Sequence, residues 1–367
     1  MHSKRIKVAM ITNSMSINGI SAVVMNDCKA LDKTKFDLTI IAGRPIADQY
    51  IEECKIHGIH VVELPSRRQD TARYYYGLWK ALKDAHYDIA HIHGNSSTMA
   101  IELFIAFANG VKARIAHCHA CESANMRRHS ALLPLFKRLY GKGIACSDLA
   151  GEWIFGKGNF EIITNGFHTK EYIYSEEKRE KYRRQLKIEG KMVIGHVGRF
   201  NTNKNQRYVL RLFERIASMQ KDAVLLLVGD GPDFSAIKEE IRAYECASKV
   251  IVYGETTDAA GMLCAMDIFV MPSMKEGLGL AAIEAQISGL PCIVSNTLPR
   301  EVEIGNQIRF LPIGDENIDQ WVEEITNTPI HTEHRRDFYE KNKESIQRFE
   351  IDACVAKLEQ IYCAEVE

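Results

Sequence analysis

The sequence predicts an α/β protein of two halves, each a doubly wound parallel sheet with helices on both faces. Short apolar runs alternate with amphipathic stretches from end to end. Strands that are apolar throughout belong to sheets buried on both faces. The alternation lapses once, over the charge-rich residues 171–190, and then resumes on the same plan. A chain of 367 residues is also too long for one ordinary domain.

In the first half, residues 8–11, 38–41, 61–64, 89–92, 114–116 and 144–145 read as strands. Each runs into small or polar residues, such as Thr12-Asn13-Ser14, His93-Gly94 and Ser147. Helical periodicity fills 22–31, 74–85 and 98–108. In the second half, 193–197, 224–228, 250–252, 268–271 and 292–294 read as strands, and 203–217, 233–244, 257–265 and 280–288 as helices. The expected division is a first domain over 1–170, a linker with a domain-entry helix over 171–190, and a second domain over 191–332. Two closing helices are expected within 333–367, with a return to the first domain open to them.

Composition excludes several classes. A net charge of −1 gives no sign of a nucleic-acid partner. The charge is uneven: residues 1–165 carry 21 Lys+Arg against 15 Asp+Glu, or +6, which leaves −7 for the remainder. The first half is therefore expected to be the one that meets an anionic surface. No stretch approaches a membrane span. The basic start Lys4-Arg5-Ile6-Lys7 precedes too short an apolar run for a signal peptide, and a first strand is expected there. Ten cysteines without framework spacing suit the reduced thiols of a cytosol. Cys118 and Cys121 form a lone CxxC with no second ligand pair, so a strand end with incidental thiols is expected. His91, His93, His117 and His119 fall at two strand ends, where alternation makes them neighbours. Packed histidines are the main reading of the group and a metal site the minor one.

The most informative stretch is 271–289, an apolar strand end followed by Glu276-Gly277-Leu278-Gly279 and a helix from Leu280. Glycines let a backbone approach a ligand, and a helix start offers free N–H groups and a positive dipole end. Glu276 lies on the loop and Glu284 just over one turn into the helix. Carboxylates only accept, so they suit sugar hydroxyls. In open parallel sheets, ligands sit beyond the carboxyl ends of strands. The same rim then collects Gly198-Arg199-Phe200, Lys204 and Gly229-Asp230-Gly231. Two cations suit a diphosphate and two carboxylates suit hydroxyls, a combination met by a nucleoside diphosphate joined to a sugar. Residues 126–142 carry five basic residues, no acids and five large apolar ones, which suits either a packed helix or an anionic membrane surface.

Taken together, these motifs resemble the retaining, nucleotide-sugar-dependent glycosyltransferases of family 4, bacterial capsule and exopolysaccharide group. The resemblance rests on Gly198-Arg199-Phe200 with Lys204, Gly229-Asp230-Gly231, Ala265-Met266-Asp267 before Pro272-Ser273, and Glu276 to Glu284 in E-x7-E form. It is fainter in the first half, through Asn18-Gly19, Ile92-His93-Gly94 and Arg114 to His119. It implies two Rossmann-like domains facing across a cleft, the GT-B type. It also implies that Arg199 and Lys204 grip the donor diphosphate, that Glu284 holds the ribose and that Glu276 holds the donor sugar. Gly198 and the backbone of Gly277, Leu278, Gly279 and Leu280 would lie against the donor, and Gly19 would let the first loop approach the phosphates. His119 would stand near the sugar and acceptor. The sequence departs from the family pattern at Leu278, Asn205 and Ala120.

The expected activity is transfer of a hexose from a nucleoside-diphosphate sugar, UDP-linked by preference, to a lipid-linked or polysaccharide acceptor in surface glycan synthesis. Front-face attack with retention is implied by the resemblance. Fixed cations replace a metal, and no Asp-x-Asp stands near a strand end, so no metal or further cofactor is expected. The expected location is cytoplasmic, at the inner membrane face if residues 126–142 dock there. Alternatives are a nucleotide-sugar epimerase or phosphorylase on the same fold, or a non-catalytic partner subunit. A dinucleotide-dependent dehydrogenase lacks its G-x-G-x-x-G after strand one.

Overall fold

A computed structural model describes residues 5–367 apart from Ile17, Asn18 and Ala124. Lys4 of the basic start and Asn18 of the first loop therefore lie outside the described residues. The chain forms two compact units, Met1–Phe167 with Arg348–Glu367, and His168–Gln347.

The first unit carries β1 (Ile6–Thr12), β2 (Phe36–Gly43), β3 (His60–Leu64), β4 (Ile89–Gly94), β5 (Ala113–Cys118), β6 (Lys142–Ala145) and β7 (Glu161–Ile162). They form one parallel sheet in the order β3-β2-β1-β4-β5-β6-β7. The order reverses between β1 and β4, which makes their carboxyl ends the switch point of the sheet. Val8, Met10, Leu38 and Ile40 pack with Val355, Leu358 and Tyr362 of the last helix, Ile351–Val366.

The second unit carries β8 (Met192–Val197), β9 (Ala223–Val228), β10 (Val250–Gly254), β11 (Ile268–Met271), β12 (Cys292–Ser295) and β13 (Ile308–Leu311). Its parallel sheet runs β10-β9-β8-β11-β12-β13, with its switch point between β8 and β11. Leu225 and Leu227 of β9 pack with Phe213 and Trp321 from the helices on one face.

Most runs expected as strands are strands, extended by a residue or two. The two edge strands β7 and β13 went unread, one too short and the other broken by Arg309. The helices Asp48–Ile56, Asp148–Ile154 and Ile318–Asn327 also went unread. Asp148–Ile154 had a legible start, since the Ser147 side chain accepts from Ala150 N–H as an N-cap. Within 171–190 lies the helix Glu176–Leu186, capped by Ser175. It shows little apolar periodicity because ion pairs anchor it: Arg179 and Arg183 reach Asp267 at 2.5 and 3.1 Å. Three helices rather than two close the chain. Thr332–Lys341 and Lys343–Gln347 belong to the second unit and Ile351–Val366 to the first. Among the described residues, no helix is long and apolar enough to cross a membrane.

Candidate functional site

The loops beyond β8 and β11 meet at the second switch point. Phe200 is fully buried against Phe234, which pins the β8 loop and leaves the neighbouring Arg199 exposed. The two glycines beyond β9 face this loop. A Cβ on Gly229, where φ is +130°, would stand 2.1 Å from the Gly198 carbonyl oxygen. One on Gly231 would stand 2.3 Å from that of Phe200. Backbone hydrogen bonds close the contact, Gly198 N–H to Val228 at 3.0 Å and Phe200 N–H to Asp230 at 2.9 Å. Gly229-Asp230-Gly231 therefore acts as a backbone brace for the segment carrying Arg199.

Lys204 ends a short 3-10 turn, Thr202–Lys204, whose cap is the Asn201 side chain accepting from Lys204 N–H at 2.9 Å. Asn205 follows in the left-handed region, at φ 58°. That conformation explains why asparagine serves where the family often has glycine. Two asparagines staple this turn to the β11 loop. Asn203 donates to the Lys275 carbonyl at 2.6 Å and accepts from Lys275 N–H at 2.9 Å, and Asn205 donates to the Pro272 carbonyl at 3.2 Å. The staple brings Lys204 Nζ to 2.7 Å from Glu276 Oε1. Beneath it, His196 Nδ1 bonds the Val270 carbonyl at 2.9 Å, and burial lowers its pKa to about 4. Gln206 links His196 Nε2, at 3.3 Å, to the Arg199 carbonyl, at 3.0 Å. Sequence reasoning noted Asn205 only as a departure from the family pattern and passed over Asn203, His196 and Gln206. The asparagine-rich run 201–205 was the available signal.

Gly279 is left-handed at φ 90° and opens the helix Leu280–Ile287, a position that favours glycine. Leu278, which stands where many members of the resembled family have an aromatic residue, turns its side chain into the core. Glu284 stands on the helix with part of its surface open. Close packing around its carboxyl raises its pKa to about 7, against the lowering effects of a Tyr172 hydrogen bond and the Lys204 charge. Tyr172, at the end of the 3-10 turn Thr169–Tyr172, carried no signal in the sequence. On this rim Lys204 pairs with Glu276 and its charge acts on Glu284, while Gly198 and the exposed Arg199 stand on the adjoining loop. Carbons of Lys204 lie 3.4 and 3.5 Å from where a Gly198 Cβ would stand, so Lys204 bridges the Arg199 segment to Glu276. Among the described residues, the Arg199 guanidinium makes no ion pair. A cavity of about 340 Å³ in this unit lies elsewhere, where Pro291 and Gln307 precede β12 and β13.

In the first unit Gly19 opens the helix Gly19–Ala30 with open space about its Cα. His91, His93, His117 and His119 do come together, the first three on β4 and β5 and His119 just beyond β5, and all four are buried. His119 Nε2 lies 3.0 Å from His93 Nδ1, and its Nδ1 lies 3.3 Å from Asn165 Oδ1. Burial lowers the pKa of His119 to about 4 and that of His91 to about 3, and drives His93 and His117 well below the usual range. The four are neutral near pH 7. Cys118 is a buried free thiol raised to about 12 by its burial, and Cys121 is half-buried. The basic helix, Met126–Leu139, buries His129, Phe136 and Leu139. Met126 and Leu135 stay exposed beside Arg127, Arg128, Lys137 and Arg138, so its apolar residues are divided between core and surface.

Two family profiles match the chain, Glycosyltransferase Family 4 over residues 17–171 and Glycosyl transferases group 1 over residues 178–345. EpsF of Bacillus subtilis (strain 168), a protein named as a glycosyltransferase, is 29% identical over 96% of this chain and 94% of its own. The UDP-Gal:alpha-D-GlcNAc-diphosphoundecaprenol alpha-1,3-galactosyltransferase of Escherichia coli is 25% identical over 88% of this chain and 87% of its own. Among solved structures, Anabaena Alr3699/HepE in complex with UDP and glucose superposes with a TM-score of 0.80 at 17% identity. It covers 98% of this chain and 100% of its own. That likeness is one of fold, two Rossmann-like units of the GT-B type.

Proposed function

The chain belongs to the family 4 glycosyltransferases, and on that premise we propose that it transfers a hexose from a UDP-sugar, with retention and without a metal at the diphosphate, to a lipid-linked glycan acceptor. The observation that carries this reading is the Lys204–Glu276 pair at 2.7 Å beside the open Arg199, at a sheet switch point. An incoming donor offers each partner a replacement: phosphate oxygens for Lys204, and sugar hydroxyls for Glu276. Arg199 adds a planar fork, and both cations stabilise the charge that develops on the leaving phosphate. Glu284 accepts from the ribose hydroxyls. In front-face transfer, the departing phosphate oxygen takes the acceptor proton while the new glycosidic bond forms on the face just vacated. His119 is assigned to the sugar and acceptor by its place in the family pattern.

The UDP donor and the lipid-linked acceptor are supported by the Escherichia coli relative, whose name specifies both. The exposed basic face of Met126–Leu139, with Met126 and Leu135 among the cations, supports docking at an anionic inner membrane face. Such docking would make this a peripheral cytoplasmic enzyme. The test is a panel of radiolabelled UDP-sugars with undecaprenyl-diphosphate-linked acceptors, in EDTA. Transfer with an α-linked product by NMR is expected. Epimerised donor, phosphorolysis of the acceptor, or no donor turnover at all would each replace the reading with one of its alternatives.

A further inference from the structure

Four imidazoles, three on β4 and β5 and one just beyond β5, are packed ring against ring. His91 and His93 centroids stand 4.1 Å apart, as do those of His117 and His119, and the cross-strand centroids stand 5.2 to 5.3 Å apart. Buried polar atoms are nearly always paired. Here His91 Nε2, His93 Nε2 and both ring nitrogens of His117 are buried without a hydrogen-bond partner among the described residues. Nine-tenths or more of each of these residues is buried, with exposures of 0, 2 and 1%.

The nitrogens that do have partners are arranged in a telling way. His91 Nδ1 meets the Tyr362 hydroxyl at 2.6 Å, and His93 Nδ1 meets His119 Nε2 at 3.0 Å. His91 and His93 are thus each held on Nδ1 and bare on Nε2 among the described residues. That is how a metal-binding imidazole is oriented, with its outer nitrogen fixed by a supporting group. One nitrogen from each of His91, His93 and His117 lies within 4.8 Å of the other two. We propose that these three histidines bind a single borderline divalent cation of the zinc class, which prefers neutral imidazole nitrogen.

Bonds of about 2.0–2.1 Å to a tetrahedral ion require the three nitrogens to point at one centre. The rings must therefore turn, since the planes of His91 and His117 lie within 4° of parallel. His117 has both nitrogens bare and is the ring best able to do so. The fourth position goes to water or hydroxide, because among the described residues no cysteine or carboxylate joins the cluster. A metal on His93 Nε2 obliges the proton to stay on Nδ1, which then donates to His119 Nε2. His119 must in turn carry its proton on Nδ1, facing Asn165. The ion would fix one tautomer of His119. The site belongs to the first unit and asks nothing of the diphosphate grip in the second.

The test uses the full chain without a histidine tag, expressed in cobalt-supplemented medium and gel-filtered. About one Co²⁺ per chain is expected, with the visible d–d bands of a tetrahedral site, and excess Zn²⁺ should displace it. His117→Gln should lose the bands. The double variant His331→Gln/His334→Gln should keep them; it removes the exposed His331, Glu333 and His334 group, the other set of ligand atoms close enough to hold an ion. Wild-type protein with far less than one ion per chain overturns the proposal, even if His117→Gln fails to fold. So does loss of the bands in the double variant.

Discussion

At the switch point of the first sheet the side chains are imidazoles, buried and neutral; at that of the second they are Arg199, Lys204 and Glu276, charged and less deeply enclosed. The topology is the same, but the environment is not. Burial strips histidine of its charge, so the first site can recognise by lone pairs and N–H groups but not by attraction to an anion. The second keeps its cations where solvent has not been fully removed, and any phosphate arriving there meets real charge. Residues 1–165 hold the positive balance, yet the pair proposed to grip the diphosphate lies in the acidic remainder. Net charge over a domain does not report the charge at its site.

If the second site works by charge, its cations should dominate the kinetics. Arg199→Ala and Lys204→Ala are each expected to lower kcat by about a hundredfold or more, the scale for losing one stabilising donor. Arg199→Lys should recover little, because the planar fork is lost with the charge kept. Steady-state rates at saturating donor decide the matter, and near-normal turnover in either alanine variant would remove the diphosphate grip from the account.

Glycine substitutions probe the same contrast with a smaller effect. Gly229→Ala drives a Cβ into the Gly198 carbonyl at a backbone angle alanine resists. It should cost about 1–3 kcal/mol of stability and shift the Arg199 segment, with roughly a tenfold fall in kcat. Gly19→Ala meets open space. It should leave the melting temperature unchanged and act on donor KM alone. Equal loss of stability in both variants would show that the brace at Gly229 is not special.

Glu276→Gln should be milder still in binding than the cation variants are in rate. It exchanges a charged acceptor for a neutral one, worth about 1.5 kcal/mol or roughly tenfold in donor KM. An unchanged KM would make Glu276 a partner for Lys204 and nothing more.

What the sequence made legible follows from what writes a one-dimensional signal. Buried parallel strands do, which is why 268–271 could be bounded to the residue and two sheets inferred. Glycine between a strand and a helix does, and Gly279 is left-handed where the helix begins. Contacts between remote loops do not. The Asn203 and Asn205 staple joins segments about seventy residues apart, and Tyr172 reaches Glu284 across more than a hundred. The helix Glu176–Leu186 was obscure for a related reason. Its anchor is the buried carboxylate of Asp267 rather than an apolar stripe. Alternation alone places the four histidines together, but nothing in the sequence says that His91 and His93 are held on Nδ1 while, among the described residues, neither nitrogen of His117 has a partner.

The smallest effect separates the two sites by their response to pH. Glu284 is the acidic counterpart of the buried histidines, with its pKa raised to about 7 mainly by burial. A carboxyl raised on folding stabilises the folded state fully below its unfolded value. That contribution is lost as pH rises from about 4.5 through about 7. Donor binding runs the other way, because ribose hydroxyls need the ionised form as acceptor. Below about pH 7, affinity for the intact donor should fall by up to about tenfold per pH unit, with a proton released on binding. The intact UDP-sugar is the right ligand, since a terminal phosphate titrates near 6 on its own account. Tyr172→Phe removes a hydrogen bond that stabilises the carboxylate, so the limb should move to higher pH; Glu284→Gln should flatten it. Calorimetric titration across about pH 5.5 to 8 reads both the affinity and the proton count. A limb that persists in Glu284→Gln would assign the titration to another group and leave Glu284 without its place at the ribose.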